Sequence, residues 1–326
     1  MIDVPNATDS SAAPDGAGAA ARYGARTCPS CAAAPSASAV AVASGPPAEV
    51  QPFEDLQQQW YGFFKKSSFF TYNRCSACGM LYSPQYFTEP QLARLYASMP
   101  PNMVEVSDGA LERTQLGYFR ELQKFSKLEG QFLEIGPDVG MFAEACVRFG
   151  HFTKFWMFEP NVDAHAELRR RVGAADLYIS THLLDLSDVP DDSIDAVAMI
   201  HVLDHILDPV GFLSELRPKL RRGATLLIVT HDESSLLARL TRNRFPAYCL
   251  QHPHLFNPRS MRTLLGKAGY GVVETKRSVN QFPVTFLIKH AVFALGLGRI
   301  NLPKLLWLRV PLRLGNFITI ARPSRE

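Results

Sequence analysis

The chain has 326 residues, 47% of them hydrophobic and 20% charged, with a formal net charge of +3. That is enough apolar matter for one domain of about 200 residues with a real core plus a smaller module. The slight basicity calls for no polyanionic partner and lacks the dense basic stripe of a nucleic-acid enzyme, so nucleic acid is disfavoured as a partner.

The first 25 residues are rich in Ala, Gly, Ser and Asp. They offer no basic start followed by an apolar run, so no secretory signal is read and a reducing, cytoplasmic location is expected. With so little to bury, residues 1–25 are expected to form a disordered tail. Residues 26–100 then carry two C-x2-C pairs, Cys28 with Cys31 and Cys75 with Cys78. Paired knuckles of this kind place four thiolates around one zinc ion. The competing readings are an accidental pair in an Ala-rich stretch or a redox couple. Four thiolates fill a tetrahedral shell, so the expected zinc is structural rather than catalytic. Residues 32–50 repeat the tail's composition and read as a flexible insertion between the pairs, tolerable because loop closure entropy grows only logarithmically. The aromatic stretch from Trp60 to Tyr72, with Tyr82, Tyr86, Phe87 and Tyr96, reads as a small core around the metal in preference to a substrate-facing wall. A helix over 111–128 would align Leu116, Phe119, Leu122, Phe125 and Leu128 for docking.

The most informative stretch is 131–159: a buried strand at Phe132–Ile135, a turn framed by Gly136 and Gly140, a helix, and a second strand ending at Glu159. A dinucleotide fingerprint would need glycine where Asp138 and Met141 stand, so that reading fails at two of its three positions. There follow a polar helix over 161–172, a short strand near 177–180, and an apolar run at 194–202 that reads as a strand buried on both faces. A helix over 210–220 leads into a strand at 224–230. Residues 281–313 are apolar, but Lys289, His290, Arg299 and Pro303 interrupt them before a spanning segment accumulates. They read as an insertion packing between the last two strands, in preference to a lid or a peripheral membrane patch.

The pattern acid-x-Gly-x-Gly-x-Gly, begun by Glu134 and departing only at Asp138, resembles motif I of the class I S-adenosylmethionine (SAM) methyltransferases. Asp195, His201, Asp204, His205, Asp208 and Pro209 resemble the family's fourth strand and the turn after it, and the likeness runs over roughly 110–323. The closest group is the small-molecule methyltransferases with an N-terminal zinc ribbon, including those acting on sugars and natural products. The resemblance implies an α/β fold: a Rossmann-like seven-stranded sheet with helices on both faces over 101–326, preceded by the ribbon module. It implies SAM as cofactor, with Glu134, Gly136, Asp138 and Gly140 at the methionine end, Glu159 on the ribose, and Leu184 and Asp185 near the adenine. Asp138 would face the methionine amino group, turn to solvent, or crowd the cofactor. Methyl transfer to oxygen or carbon of a small-molecule acceptor calls for a general base near neutral pH, and the candidates in order are His231, with Asp232 to orient it, His254 and His201. The other functional readings are a zinc-ribbon RNA methyltransferase and a non-catalytic binding protein that keeps the fold.

Overall fold

The computed structural model describes residues 23–61, 68–97, 108–294 and 308–324. Its centre is a seven-stranded sheet of β1 (Glu129–Ile135), β2 (His151–Phe158), β3 (Asp176–Ser180), β4 (Ile194–Ile200), β5 (Leu220–His231), β6 (Tyr270–Arg277) and β7 (Asn316–Pro323). The spatial order is β6-β7-β5-β4-β1-β2-β3. The pairs from β5 through β3 are parallel, and β7 runs antiparallel to both its neighbours. This is the expected seven-stranded α/β architecture. β4 can be apolar from Ala196 to Ile200 because helices cover both faces.

Three helices, α1 (Asp108–Gln123), α2 (Met141–Phe149) and α3 (His165–Val172), contribute Phe119, Phe142 and Leu168 to the core on one face. Two more, α4 (Pro209–Leu216) and α5 (Pro258–Lys267), contribute Leu213, Leu216, Met261 and Leu264 on the other. Both of the latter start at side-chain caps. Asp208 accepts the Gly211 amide ahead of Pro209, and Asn257 forms a capping box with Ser260. Helix α1 stops at Gln123, short of the expected Leu128, yet Phe125 and Leu128 still reach the core through the turn after it. The chain order reverses between β1 and β4, and open α/β sheets bind ligands at that switch point, outside the strands' carboxyl ends.

The N-terminal module differs from expectation in three ways. Residues 1–22 lie outside the described residues, but Tyr23 is buried and Gly24–Ala25 pair with Gln85–Tyr86, so the end of the expected tail is built into the fold. The stretch 32–50 is not a loose insertion: Ser38–Val42 is a strand paired with Tyr72–Cys75. Ser44 Oγ bonds the Phe69 carbonyl at 2.9 Å, and the Ala48 amide bonds it at 3.0 Å. The alternation Ala39-Val40-Ala41-Val42 suits a strand, and Ala-rich composition alone concealed it. Third, the module is not separate from the large domain. Its four-stranded sheet runs Ser38–Val42, Tyr72–Cys75, Leu81–Tyr82 and finally His254–Leu255, a strand lent by that domain. The aromatic residues Tyr23, Phe53, Trp60, Phe70, Tyr86 and Phe87 form a small core as expected, but not around the cysteines: Cys28, Cys75 and Cys78 pack with Met80 and Tyr82 into the core of the large domain; residues 62–67 lie outside the described residues.

The apolar insertion sits between β6 and β7. A hairpin of Asn280–Pro283 and Arg309–Leu312 carries the helix Val284–Ala294, and residues 295–307 lie outside the described residues. Among the described residues, no helix is long and apolar enough to cross a membrane.

Candidate functional site

The turn after β1 requires its glycines. Gly136 has φ +66° and Gly140 φ +81°, and a Cβ on either would fall 2.6 Å from Val202 Cγ2 or 2.5 Å from Leu168 Cδ1. Asp138 has φ +51°, the same left-handed region a glycine would occupy. Aspartate is among the few side chains that visit it at modest strain, which is why the motif survives its one departure. The Asp138 amide donates to Glu159 Oε2 at 2.8 Å, and the Asn161 amide donates to Glu159 Oε1 at 2.8 Å. Glu159 therefore reaches back over the turn. Two backbone donors leave further acceptor sites on its oxygens for a diol.

Three carboxylates gather here with no counter-ion: among the described residues, none of Glu134, Asp138 and Glu159 enters an ion pair. Glu134 is 2% exposed and its Oε2 has no hydrogen-bond partner. Burial, and then the charge of Glu159, pushes its carboxyl up to about 8. The same two causes lift Asp138 to about 6, and burial raises Glu159. A buried acidic cluster with an orphaned oxygen suits a cationic ligand, and SAM brings both a sulfonium and an ammonium. Leu184 and Asp185 are not drawn into this group by any contact. Leu184 is 40% exposed on the turn after β3, and Asp185 caps that turn by accepting the Ser187 amide; it is Leu186 that packs into the core.

A second cluster lies at the carboxyl ends of β4 and β5, joined to the first because Val202, which abuts Gly136, directly follows His201. His231 Nδ1 lies 2.6 Å from Asp204 Oδ2, and that same oxygen accepts the His231 backbone amide at 3.1 Å. An oxygen already accepting a backbone N–H acts as acceptor to the ring as well, so Nδ1 carries the proton and Nε2 keeps its lone pair. Burial and then His252 hold the imidazole well below its ordinary value, so it is neutral with its Nε2 lone pair free, at the cost of lowered basicity. Asp204 is fully buried; burial pushes its carboxyl up while the surrounding histidines and the His231 amide pull it down. The rings of His201 and His252 lie 4.7 and 4.8 Å from that of His231. His201 has φ +54° and an unpartnered Nδ1, and burial followed by His231 lowers it to about 3. Donor atoms of His201, Asp204 and His231 fall within 4.8 Å of one another. The 2.6 Å contact within that trio is, however, a shared-proton distance, shorter than two ligands of one divalent ion comfortably keep.

Two sequence expectations fail here. Asp232 does not orient His231: its carboxylate accepts the Ser234 amide and hydroxyl instead. The group that orients it is Asp204, 27 positions upstream. His254 is fully buried, its Nε2 on the Leu203 carbonyl at 3.1 Å and its backbone paired with Tyr82, and burial drives its pKa well down. It supports the fold and is out of reach of a substrate.

A family profile described as a methyltransferase domain matches residues 111–275, about half of the chain. The chain belongs to the class I SAM-dependent methyltransferase family. No curated protein matches it. Among solved structures, it is similar to a chain of the complex between the Haloferax volcanii Trm112 methyltransferase activator and a methyltransferase, at 13% identity, covering 67% of this chain and 93% of that one, with a TM-score of 0.47. A SAM-dependent methyltransferase of Thermotoga maritima, described as a possible histamine N-methyltransferase, is 20% identical over 66% of this chain and 91% of its own, with a TM-score of 0.44. A SAM-dependent methyltransferase of Mesorhizobium loti is 14% identical over 63% and 97%, with a TM-score of 0.45. The family assignment rests on the matched domain.

The methyltransferase also brings its two cysteine pairs together. Cys28 and Cys78 Sγ lie 3.5 Å apart, as do Cys31 and Cys75, and all four sulfurs fall within 4.8 Å of one another. Thiolates bound tetrahedrally at about 2.3 Å to zinc would lie about 3.8 Å apart. The knuckles match in backbone: the residue after each second cysteine, Ala32 or Gly79, is left-handed, and its amide returns to the carbonyl of the first cysteine. All six cysteines are free of disulfides. Lys219 and Arg221 pair with Asp191 and Asp195 at the amino end of the sheet, away from the two clusters.

Proposed function

We propose that the methyltransferase transfers a methyl group to an oxygen or acidic carbon of a small metabolite, a sugar or natural-product intermediate, with His231 as the proton acceptor. The observation that carries this reading is the 2.6 Å contact of His231 Nδ1 with Asp204 Oδ2, beside the acidic cluster at the sheet's switch point. Bound SAM would supply an electrophilic methyl carbon on a sulfonium leaving group, and the acceptor's proton would pass to His231 Nε2. Asp204 holds the ring in the tautomer that frees Nε2 and steadies the imidazolium that results. Glu134, Gly136, Asp138 and Gly140 border the methionine end, Glu159 binds the ribose diol, and Leu184 and Asp185 flank the adenine from the turn after β3. His201, held neutral, lines the acceptor side. Cys28, Cys31, Cys75 and Cys78 hold a structural zinc ion, and six cysteines in no disulfide accord with a reducing, cytoplasmic setting. The RNA reading is less favoured because Lys219 and Arg221 are paired with acids at the opposite end of the sheet.

Calorimetry with SAM and S-adenosylhomocysteine comes first, and absence of binding at millimolar cofactor ends the proposal. A panel of sugar and phenolic acceptors with methyl-labelled SAM is the second step. His231→Gln is expected to lower turnover by about 10²- to 10⁴-fold with cofactor affinity unchanged; full activity in that variant removes His231 from its role.

A further inference from the structure

Residues 249–253 form neither helix nor strand, so their carbonyls must find donors elsewhere. They find most of them in the N-terminal module. The Tyr86 hydroxyl donates to the Leu250 carbonyl at 2.5 Å, and the Tyr72 hydroxyl donates to the His252 carbonyl at 2.6 Å. The Pro253 carbonyl accepts the Ser83 amide at 2.9 Å and Arg26 Nη1 at 3.1 Å. This stretch delivers the His252 ring, whose Nδ1 is tied to the Ala247 carbonyl at 2.7 Å, to within 4.8 Å of the His231 ring. On the other side of His231, Arg74 donates through both terminal nitrogens to Glu233, at 2.9 and 2.8 Å, and Asn257 adds a third bond to that carboxylate at 2.6 Å. One strand of the module, Tyr72–Cys75, thus grips both segments that carry the acceptor-side imidazoles. It contains the first cysteine of the second knuckle.

We propose that Tyr72, Tyr86 and Arg74 are positioning residues for the acceptor end of the site, and that the cysteine-bearing module is there to build it. The inference rests on the reading of His231 as proton acceptor. Each of these side chains acts through another group: the tyrosines fix the backbone that presents His252, and Arg74 fixes Glu233, two residues beyond His231. A bidentate guanidinium–carboxylate pair sets distance and angle together, which a point charge would not. Among the described residues no hydrogen bond or ion pair joins the module to the cofactor turn at 136–140, so its function should be separable from the module's.

The test uses the full chain labelled with ¹⁵N-histidine, with S-adenosylhomocysteine as the probe. Tyr72→Phe keeps the buried ring and removes the donor. It is expected to move the ring nitrogen signals of His252 and His231 while S-adenosylhomocysteine affinity stays within about twofold, as for sites sharing no partners. Tyr270→Phe is the control: it deletes an equally buried hydroxyl, bonded to the Leu213 carbonyl at 2.8 Å at the amino end of β6, and should leave both signals in place. Unmoved signals in Tyr72→Phe, or equal movement in Tyr270→Phe, overturn the proposal. If Tyr72→Phe does not fold, Tyr86→Phe carries the same expectation through Leu250. A wild-type chain that fails to bind S-adenosylhomocysteine defeats the methyltransferase reading alone, because the ring signals are compared without ligand as well.

Discussion

The acidic cluster predicts that cofactor binding releases protons. Glu134 sits at about 8 and Asp138 at about 6, both lifted by burial and by Glu159. At pH 7 the pair therefore holds about one proton, nearly all of it on Glu134, and at pH 5 about two. A ligand bringing a sulfonium and an ammonium favours both carboxylates ionised, so those protons leave on binding. The association constant should then rise with pH, by about two decades per unit near pH 5 and about one near pH 7. Calorimetry at pH 7 in buffers of different ionisation enthalpy counts the protons directly, and Glu134→Gln should cut the count from about one to about 0.1. The unliganded protein shows the same group with the opposite sign. The folded state keeps the Glu134 proton after the unfolded chain, with its carboxyl near 4.5, has lost it, so this residue makes stability fall as pH rises between about 4.5 and about 8. By pH 7 the penalty is about 3 kcal/mol as an upper estimate. Glu134→Gln should accordingly be more stable than wild type at pH 8 and equal to it at pH 4. Tight SAM binding with no buffer dependence at pH 7 would refute the reasoning, since it would mean that the carboxylates are already ionised or do not face the ligand.

Gly140→Ala places a methyl group 2.5 Å from Leu168 Cδ1 on a backbone at φ +81°, and should lower the urea unfolding midpoint by the equivalent of about 1–2 kcal/mol or more; an unchanged midpoint would show that the turn is not held as described. Metal analysis of the purified wild type should find about one zinc per chain, and Cys75→Ser should lose it together with several degrees of melting temperature; retention of zinc in the variant would remove Cys75 from the ligand set. His254→Gln should behave oppositely to His231→Gln, lowering the melting temperature while turnover per folded molecule holds, because its ring sits sealed against the Leu203 carbonyl. A turnover loss without a stability loss would return His254 to the chemistry.

The cofactor half of the site was legible because it is local. Residues 132 to 159 form one strand, turn, helix and strand, and each step leaves a mark on the sequence: an apolar run, glycines where φ turns positive, an acid at the end of the second strand. Even the anomaly was readable in kind, since an aspartate can occupy the left-handed conformation that Asp138 adopts. The acceptor half is assembled from segments around 72–86, 201–205 and 231–257, and sequence proximity misleads there. Asp232 is the neighbour of His231, but successive residues of a strand face opposite ways, so the adjacent acid turns aside. The parallel pairing of β4 with β5 instead brings Asp204 up from the previous strand's end. His254 looked like a loop histidine near the site because nothing local reveals that its two-residue strand completes the sheet of a module placed 170 positions earlier by Leu81–Tyr82. That same docking gave Tyr72 and Arg74 their partners at His252 and Glu233, and explains why aromatic residues between the cysteine pairs could be recognised as core yet not as supports. A chain whose proposed cofactor residues lie between 134 and 185, while its proposed acceptor-side segments run from 72 to 257, can alter the second without touching the first, which is the arrangement a family with one cofactor and many acceptors requires.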